Sequence, residues 1–299
     1  MVPTLAAALA SGDLADPVDL RSDPRLIVEA PPALQGVAAR LRELPAAKLE
    51  AVLRLTGQAG FGAPIRVILV AEGTPAAREA PPWIAGYTTG AGGVVVLFPA
   101  RAPTYPDSSL EDVLRHEIAH VLAARATAGH PLPRWFDEGL AMIAGNSWGL
   151  DDRSRVMLAL LVDGELSLAE LDRRFGAGER QVASAYAIAG AMVREMVQRS
   201  GAAAPGRILA GVAAGLPFAS AFAQATGTPL AAFEADFWSG HSLRRWLPLM
   251  TSSATLWLGI TLLALAAARR RRLRAAALRE RWEEEERDVE QDGPGHEPS

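Results

Sequence analysis

The chain of 299 residues contains no cysteine, which excludes a small scaffold held together by disulfide bonds. This absence is compatible with an oxidising compartment but does not require one. Lysine is nearly absent as well, because Lys48 is the only one and arginine supplies the other basic side chains. The net charge of -4 provides no overall positive field, so no nucleic-acid partner is expected.

Two kinds of sequence pattern are also missing. The chain has no internal repeat of fixed period, and it has no glycine pattern of the kind that binds a dinucleotide or a phosphate. Nucleotide chemistry therefore has no support. What is present is a composition with 49% hydrophobic and 21% charged residues, which excludes a disordered chain and suits a domain with a substantial core.

The apolar residues are concentrated near the C-terminal end. Residues 246–268, between Arg245 and Arg269, include no charged side chain. As a helix this run would be about 34 Å long, against about 30 Å for the hydrocarbon core of a bilayer. The run therefore predicts a transmembrane helix, with a core helix of a soluble protein or a tail anchor as the alternatives.

Arginines flank this run unevenly and predict its orientation. Five follow it (Arg269, Arg270, Arg271, Arg272 and Arg274) and two precede it (Arg244 and Arg245). The positive-inside rule then predicts a single-pass protein of the cytoplasmic membrane, with a charged cytoplasmic tail over 269–299 and an extracytoplasmic N-terminal portion. Residues 1–32 are interpreted as an irregular lead-in that begins either with a truncated signal-peptide remnant or with an ordinary alanine-rich segment.

Residues 33–240 have the pattern of an α+β domain with a small sheet and a mostly helical remainder. A helical period over 33–56 is broken at Pro45, and Ile65–Val70 reads as a strand. Ile84–Thr89 and Val94–Phe98 read as a hairpin, whose second strand is either an exposed edge that could pair with a peptide or an ordinary buried strand. Helices are predicted beyond Phe98 at about 109–128, 134–145, 151–163, 167–175 and 180–200, with three shorter ones within 205–239.

The strongest motif is H-E-I-A-H over 116–120, inside a predicted helix. At 3.6 residues per turn, His116 and His120 lie one turn apart on one face, so both imidazoles can bind one ion. A catalytic zinc site needs a third protein ligand and leaves one position open for water. The turn over 129–133 brings a second helix back across the first, and that helix offers a carboxylate in its first or second turn.

Together, the H-E-x-x-H motif and the downstream W-x-x-E-G-x-A segment resemble the gluzincin zinc metallopeptidases, and within them the peptidase MA-like family. The residues that match in the second segment are Trp135, Glu138, Gly139 and Ala141. The resemblance implies a thermolysin-like zincin domain over 33–240, Zn²⁺ held by His116, His120 and Glu138, and a peptide or protein substrate. It also implies that Glu117 is the general base.

Several points stay open at the level of sequence. Several gluzincins have an acidic residue where this chain has Met142, so the carboxylate that orients a zinc-binding histidine is unassigned, with Asp112 and Asp137 as the options. This departure makes an inactive, membrane-tethered binding or assembly module the alternative to a peptidase. Tyr186 is either a packed aromatic residue or a donor to the oxyanion at the scissile carbonyl. Because the G-A-M-E-N signature is absent, an aminopeptidase of that type is disfavoured.

Overall fold

The computed structural model of the protein describes residues 26–89, 92–103, 107–145, 156, 164–241, 257 and 260–271. The chain divides into two units, Met1–His241 and Ser242–Ser299. Most of the predicted helix over 151–163, the predicted signal remnant and most of the predicted tail over 269–299 lie outside the described residues.

The first unit contains a four-stranded mixed sheet whose strands are β1 (Leu26–Glu29), β2 (Ile65–Leu69), β3 (Gly86–Thr88) and β4 (Val94–Leu97). The strand order is β1-β2-β4-β3, with β3 antiparallel to β4 and the other pairs parallel. Residues 26–29 thus form a strand where an irregular lead-in is expected, and only Val28 of its four residues is buried. The predicted strand Val94–Phe98 is observed as β4, which lies inside the sheet. The edge strand beside it is β3.

Helices make up most of the rest of this unit. Their starts and ends lie close to the predicted ones, apart from a short helix at Pro75–Glu79 that was not predicted. As far as the structure describes them, they are α1 (Gln35–Arg42), α2 (Ala46–Thr56), α3 (Pro75–Glu79), α4 (Leu110–Ala126), α5 (Arg134–Gly145), α6 (Leu168–Arg174), α7 (Glu179–Ser200), α8 (Ala204–Ala213), α9 (Phe218–Thr226) and α10 (Leu230–His241). Pro45 is the residue before α2. It therefore separates two helices, because its ring does not fit within a continuous one.

The helix α4 lies between two hydrophobic cores. On one side, its apolar residues and those of β2 and β4 are fully buried together: Leu114, Ile118, Ile65, Val67, Val95 and Leu97. The other core joins α5 to α7 and includes Trp135, Phe136, Ile188 and Met192. Each such side chain contributes about 1.5–3 kcal/mol when it is fully buried. A helix covered in this way also buries some of its polar residues, including His116 and Glu117 of the H-E-x-x-H motif.

The predicted transmembrane helix over 246–268 is contradicted. Within the part of the chain that the structure describes, no helix is both long enough and apolar enough to cross a bilayer. The described helical residues 260–271 span about 18 Å at 1.5 Å per residue, and the last three are arginines. Residues 246–256 and 258–259 are outside the described residues. The predicted single-pass localisation is contradicted by the same finding. The predicted bilayer partner is not tested and stays a prediction.

Candidate metal centre

The two histidines of the motif lie on one face of α4. Ser109 caps this helix, because its hydroxyl accepts a hydrogen bond from the backbone N–H of Asp112. His116 and His120 follow at one-turn spacing, with ring centroids 5.0 Å apart and ring planes at 70°. His116 is buried, and the side chain of His120 is 13% exposed. Both rings are therefore held in a fixed arrangement by the packed helix.

The third residue of the site comes from α5, which the chain reaches through the turn that follows α4. The backbone N–H of Trp135 donates a 2.7 Å hydrogen bond to the carboxylate of Asp172, which fixes the first turn of α5. Gly139 lets α5 pack directly on α7, because a Cβ there would lie 2.5 Å from the carbonyl oxygen of Ala189. These two contacts position Glu138, which lies between Trp135 and Gly139 in the motif.

The carboxylate of Glu138 meets both imidazoles. Its Oε2 lies 3.6 Å from Nε2 of His116 and 3.5 Å from Nε2 of His120. In a tetrahedral zinc site, two ligand atoms at about 2.0–2.2 Å from the ion are about 3.3–3.6 Å apart. Glu138 Oε2 is buried and has no hydrogen-bond partner. The spacing and the unpartnered oxygen both fit an ion between the three side chains, so this group could hold a metal ion.

Two further carboxylates lie behind the histidines. Asp137 Oδ2 is 3.1 Å from Nδ1 of His120, and Asp107 Oδ2 is 3.7 Å from Nδ1 of His116. A carboxylate at Nδ1 fixes the ring orientation and makes Nε2 a better metal ligand. Of the two options that the sequence leaves open, the structure brings Asp137 to a histidine. Asp112 instead pairs with Arg115 and accepts a hydrogen bond from Ser108.

Asp107 was not predicted as a partner of the site. In the sequence it is an aspartate three residues before α4 begins. In the structure it is 7% exposed and lines the same cavity as the histidines. The only signal in the sequence is an aspartate just before a predicted helix. Its burial depends on the tertiary fold and could not be predicted from the residues around it.

Glu117 is buried beside the two histidines, and its Oε2 has no hydrogen-bond partner. Burial raises the pKa of this carboxyl to about 7, even though the neighbouring histidines lower it. A carboxylate with a pKa near neutrality is suited to accept a proton and return it in the same reaction.

The other ionisable groups of the site also have shifted pKa values. Burial would lower the pKa of His120, but the carboxylates of Asp137 and Glu138 outweigh it and raise this pKa well above its usual value. Burial would raise the pKa of Glu138, but the two imidazoles beside its carboxylate lower it. Without a metal, the site therefore favours an ionised Glu138 beside a protonated His120, and a divalent cation would replace that proton.

Tyr186 lies on α7 and faces the same site. Its ring centroid is 6.2 Å from that of His116 and 5.3 Å from that of Phe175. Burial and the carboxylates of Glu138 and Glu117 raise the pKa of its hydroxyl well above 10. The hydroxyl is therefore neutral and able to donate a hydrogen bond across the whole pH range in which the protein would work.

A cavity of about 970 Å³ opens onto the three possible ligands and Glu117. Its lining includes the segment Trp83–Thr88, which contains the edge strand β3, and also Phe175 and Tyr186. His130 is exposed on the same lining but does not belong to the metal-binding group. His296 is outside the described residues, as is the side chain of His241.

No model of a known protein family matches the chain, and no curated protein sequence matches it either. The resemblance to the gluzincins therefore depends on the residues of the two motifs alone and stays a prediction.

Proposed function

We propose that the protein is a zinc-dependent peptidase. The observation that supports this most directly is the convergence of His116, His120 and Glu138 on one point beside a large cavity. Two histidines and one glutamate form the ligand set of a catalytic zinc site that leaves a fourth position open. Glu117 and Tyr186 line the same cavity.

When bound, zinc would lower the pKa of a water molecule and polarise the carbonyl group of the scissile peptide bond. Glu117 accepts the proton of the attacking water and transfers it to the departing amine. The hydroxyl of Tyr186 donates a hydrogen bond to the oxyanion that develops on the carbonyl oxygen. Asp137, 3.1 Å from Nδ1 of His120, holds that imidazole so that its Nε2 stays directed at the ligand position, and Asp107 lies 3.7 Å from Nδ1 of His116.

The substrate class follows from the wall of the cavity. The strand β3 pairs with β4 along one side and has no strand partner on its other side among the described residues. An extended peptide can add to such an edge through backbone hydrogen bonds, which are independent of side-chain identity. The scissile bond would then lie next to Glu117, whose side chain is packed close to Gly86 of the strand.

The proposal is tested by separating metal binding from hydrolysis. Glu117→Ala should retain one zinc per chain, measured by elemental analysis, and should no longer cleave casein or a library of quenched fluorogenic peptides. His120→Ala and Glu138→Ala should each lose the zinc. His130→Ala removes an exposed histidine from the same cavity and should keep both properties. Full turnover by Glu117→Ala, or stoichiometric zinc in both ligand variants, would contradict the proposal.

The alternative function is a binding or assembly module that holds zinc without turnover. Its motivation is the absence of an acidic residue at Met142. The carboxylate of Asp137 lies 3.1 Å from Nδ1 of His120, so a histidine of the site has a carboxylate beside it without an acid at position 142, and this favours the peptidase. A wild-type protein that contains one zinc and cleaves no member of the peptide library would favour the binding module instead.

A further inference from the structure

Arg134, the first residue of α5, places a positive charge beside the metal-binding group, and the proposed mechanism gives this charge no role. It is the only lysine or arginine among the described residues that line the cavity. The other charged side chains of that lining are four carboxylates, Asp107, Glu117, Asp137 and Glu138. The side chain of Arg134 is 52% exposed, so its guanidinium is accessible from the cavity.

Two contacts hold this guanidinium in place. Its Nε donates a 3.5 Å hydrogen bond to Oε1 of Glu138, the oxygen that does not face the histidines. Its central carbon lies 5.3 Å from the ring centroid of Phe175, within the range of a cation–π contact. Neither contact uses the two terminal Nη groups, and the structure shows no partner for them among the described residues.

A guanidinium that is fixed at Nε and free at both Nη groups has the geometry for a bidentate pair with a carboxylate. If Arg134 served only to neutralise Glu138, a guanidinium would not be needed, because a lysine could pair with the same oxygen. We propose that Arg134 binds a carboxylate of the peptide substrate, supplied by an acidic side chain near the scissile bond or by the C-terminus. This inference rests on the proposed peptidase function and adds a preference among peptides.

The test compares matched peptides that differ by one carboxylate. One arm scans Glu against Gln on either side of the cleaved bond, and the other compares a free C-terminus with an amidated one. In the wild-type protein, the acidic member of one pair should have a kcat/KM about tenfold higher or more, as expected for a charge-assisted pair that is partly exposed. Arg134→Gln should bring that ratio close to one, and Arg134→Lys should restore only part of it.

Arg173→Gln is the matched control, since Arg173 is an exposed arginine on α6 outside the cavity lining. It should keep the wild-type ratio. The proposal is overturned if no pair shows a preference in the wild type, or if Arg134→Gln slows the acidic and amide members equally, since Arg134 would then serve only Glu138.

A binding measurement separates this inference from the peptidase proposal. The same peptide pairs are titrated into the metal-free protein, where a carboxylate cannot bind zinc, and tryptophan fluorescence is recorded. Tighter binding of the acidic member that is lost in Arg134→Gln supports the inference even if no peptide is ever cleaved. Equal binding of both members overturns it, whatever the activity of the zinc-loaded protein.

Discussion

Replacing Glu117 with glutamine should stabilise the metal-free protein, and the effect should depend on pH. Glu117 is buried with an unpartnered Oε2, and its pKa is about 7 in the folded protein against 4.5 for a glutamate carboxyl in water. Because the folded pKa is the higher one, the protonated carboxyl favours folding. Its contribution is fully present below about pH 4.5 and is lost as the pH rises through about 7.

The size of the effect follows from the two pKa values. A difference of one pKa unit corresponds to about 1.4 kcal/mol. Relative to a neutral side chain, the carboxylate should lower the free energy of unfolding by about 3 kcal/mol at pH 8 and by less than about 1 kcal/mol at pH 5. Glutamine has the same shape and no charge. We therefore expect Glu117→Gln to gain about 2–3 kcal/mol more at pH 8 than at pH 5.

Urea unfolding followed by tryptophan fluorescence, with a chelator present, measures this difference. Glu165→Gln, which changes an exposed glutamate, is the matched control and should shift the midpoint equally little at both pH values. An equal stabilisation at pH 5 and pH 8, or a loss of stability at pH 8, would refute the assignment of Glu117 as a desolvated carboxylate. Zinc-loaded Glu117→Gln should be inactive. This would show that the carboxylate destabilises the fold but is required for hydrolysis.

Three further substitutions test the surroundings of the site. Asp137→Asn removes the carboxylate behind His120 and should weaken zinc binding about 10–100-fold in a chelator competition. The control Asp236→Asn, on the exposed side of α10, should leave the zinc affinity unchanged. An unchanged affinity in Asp137→Asn would contradict the role of this carboxylate. Tyr186→Phe should keep the zinc and lower kcat about 10–1000-fold, because only the hydroxyl is lost; an unchanged kcat would limit Tyr186 to packing. Gly139→Ala places a Cβ 2.5 Å from the carbonyl oxygen of Ala189 and should lower the free energy of unfolding by about 1–3 kcal/mol, measured by thermal denaturation. An unchanged midpoint would show that α5 and α7 can move apart without loss of stability.

Local sequence patterns were sufficient to predict the elements that carry the ligands. The apolar period of α4 and its N-terminal cap depend on residues a few positions apart, and so does the one-turn spacing of His116 and His120. Glu138 could be chosen because it belongs to a second motif a short distance downstream, and the structure brings it to the histidines. The zinc itself and its chemistry remain predictions.

The features that the sequence did not reveal depend on contacts between distant segments. Strand β1 has a single buried residue and pairs with β2 across nearly forty positions, so its four residues give no alternating pattern. The place of β4 inside the sheet follows from the strand order and not from its own residues. Asp107 and Arg134 became candidates for function only once the cavity was known. The apolar run over 246–268 was interpreted from its hydrophobicity alone, and no helix among the described residues is both long enough and apolar enough to cross a bilayer.

The hydrogen bond between Trp135 and Asp172 has a consequence for the order of events during synthesis. Both motifs leave the ribosome before Asp172 and well before Ala189, the residues that fix the two ends of the Glu138 segment. A nascent chain that ends shortly after α5 thus contains every ligand but lacks the frame that brings them together. Under the function proposed above, the chain should therefore bind a metal ion only after α6 and α7 have been made, and an unfinished chain should have no activity.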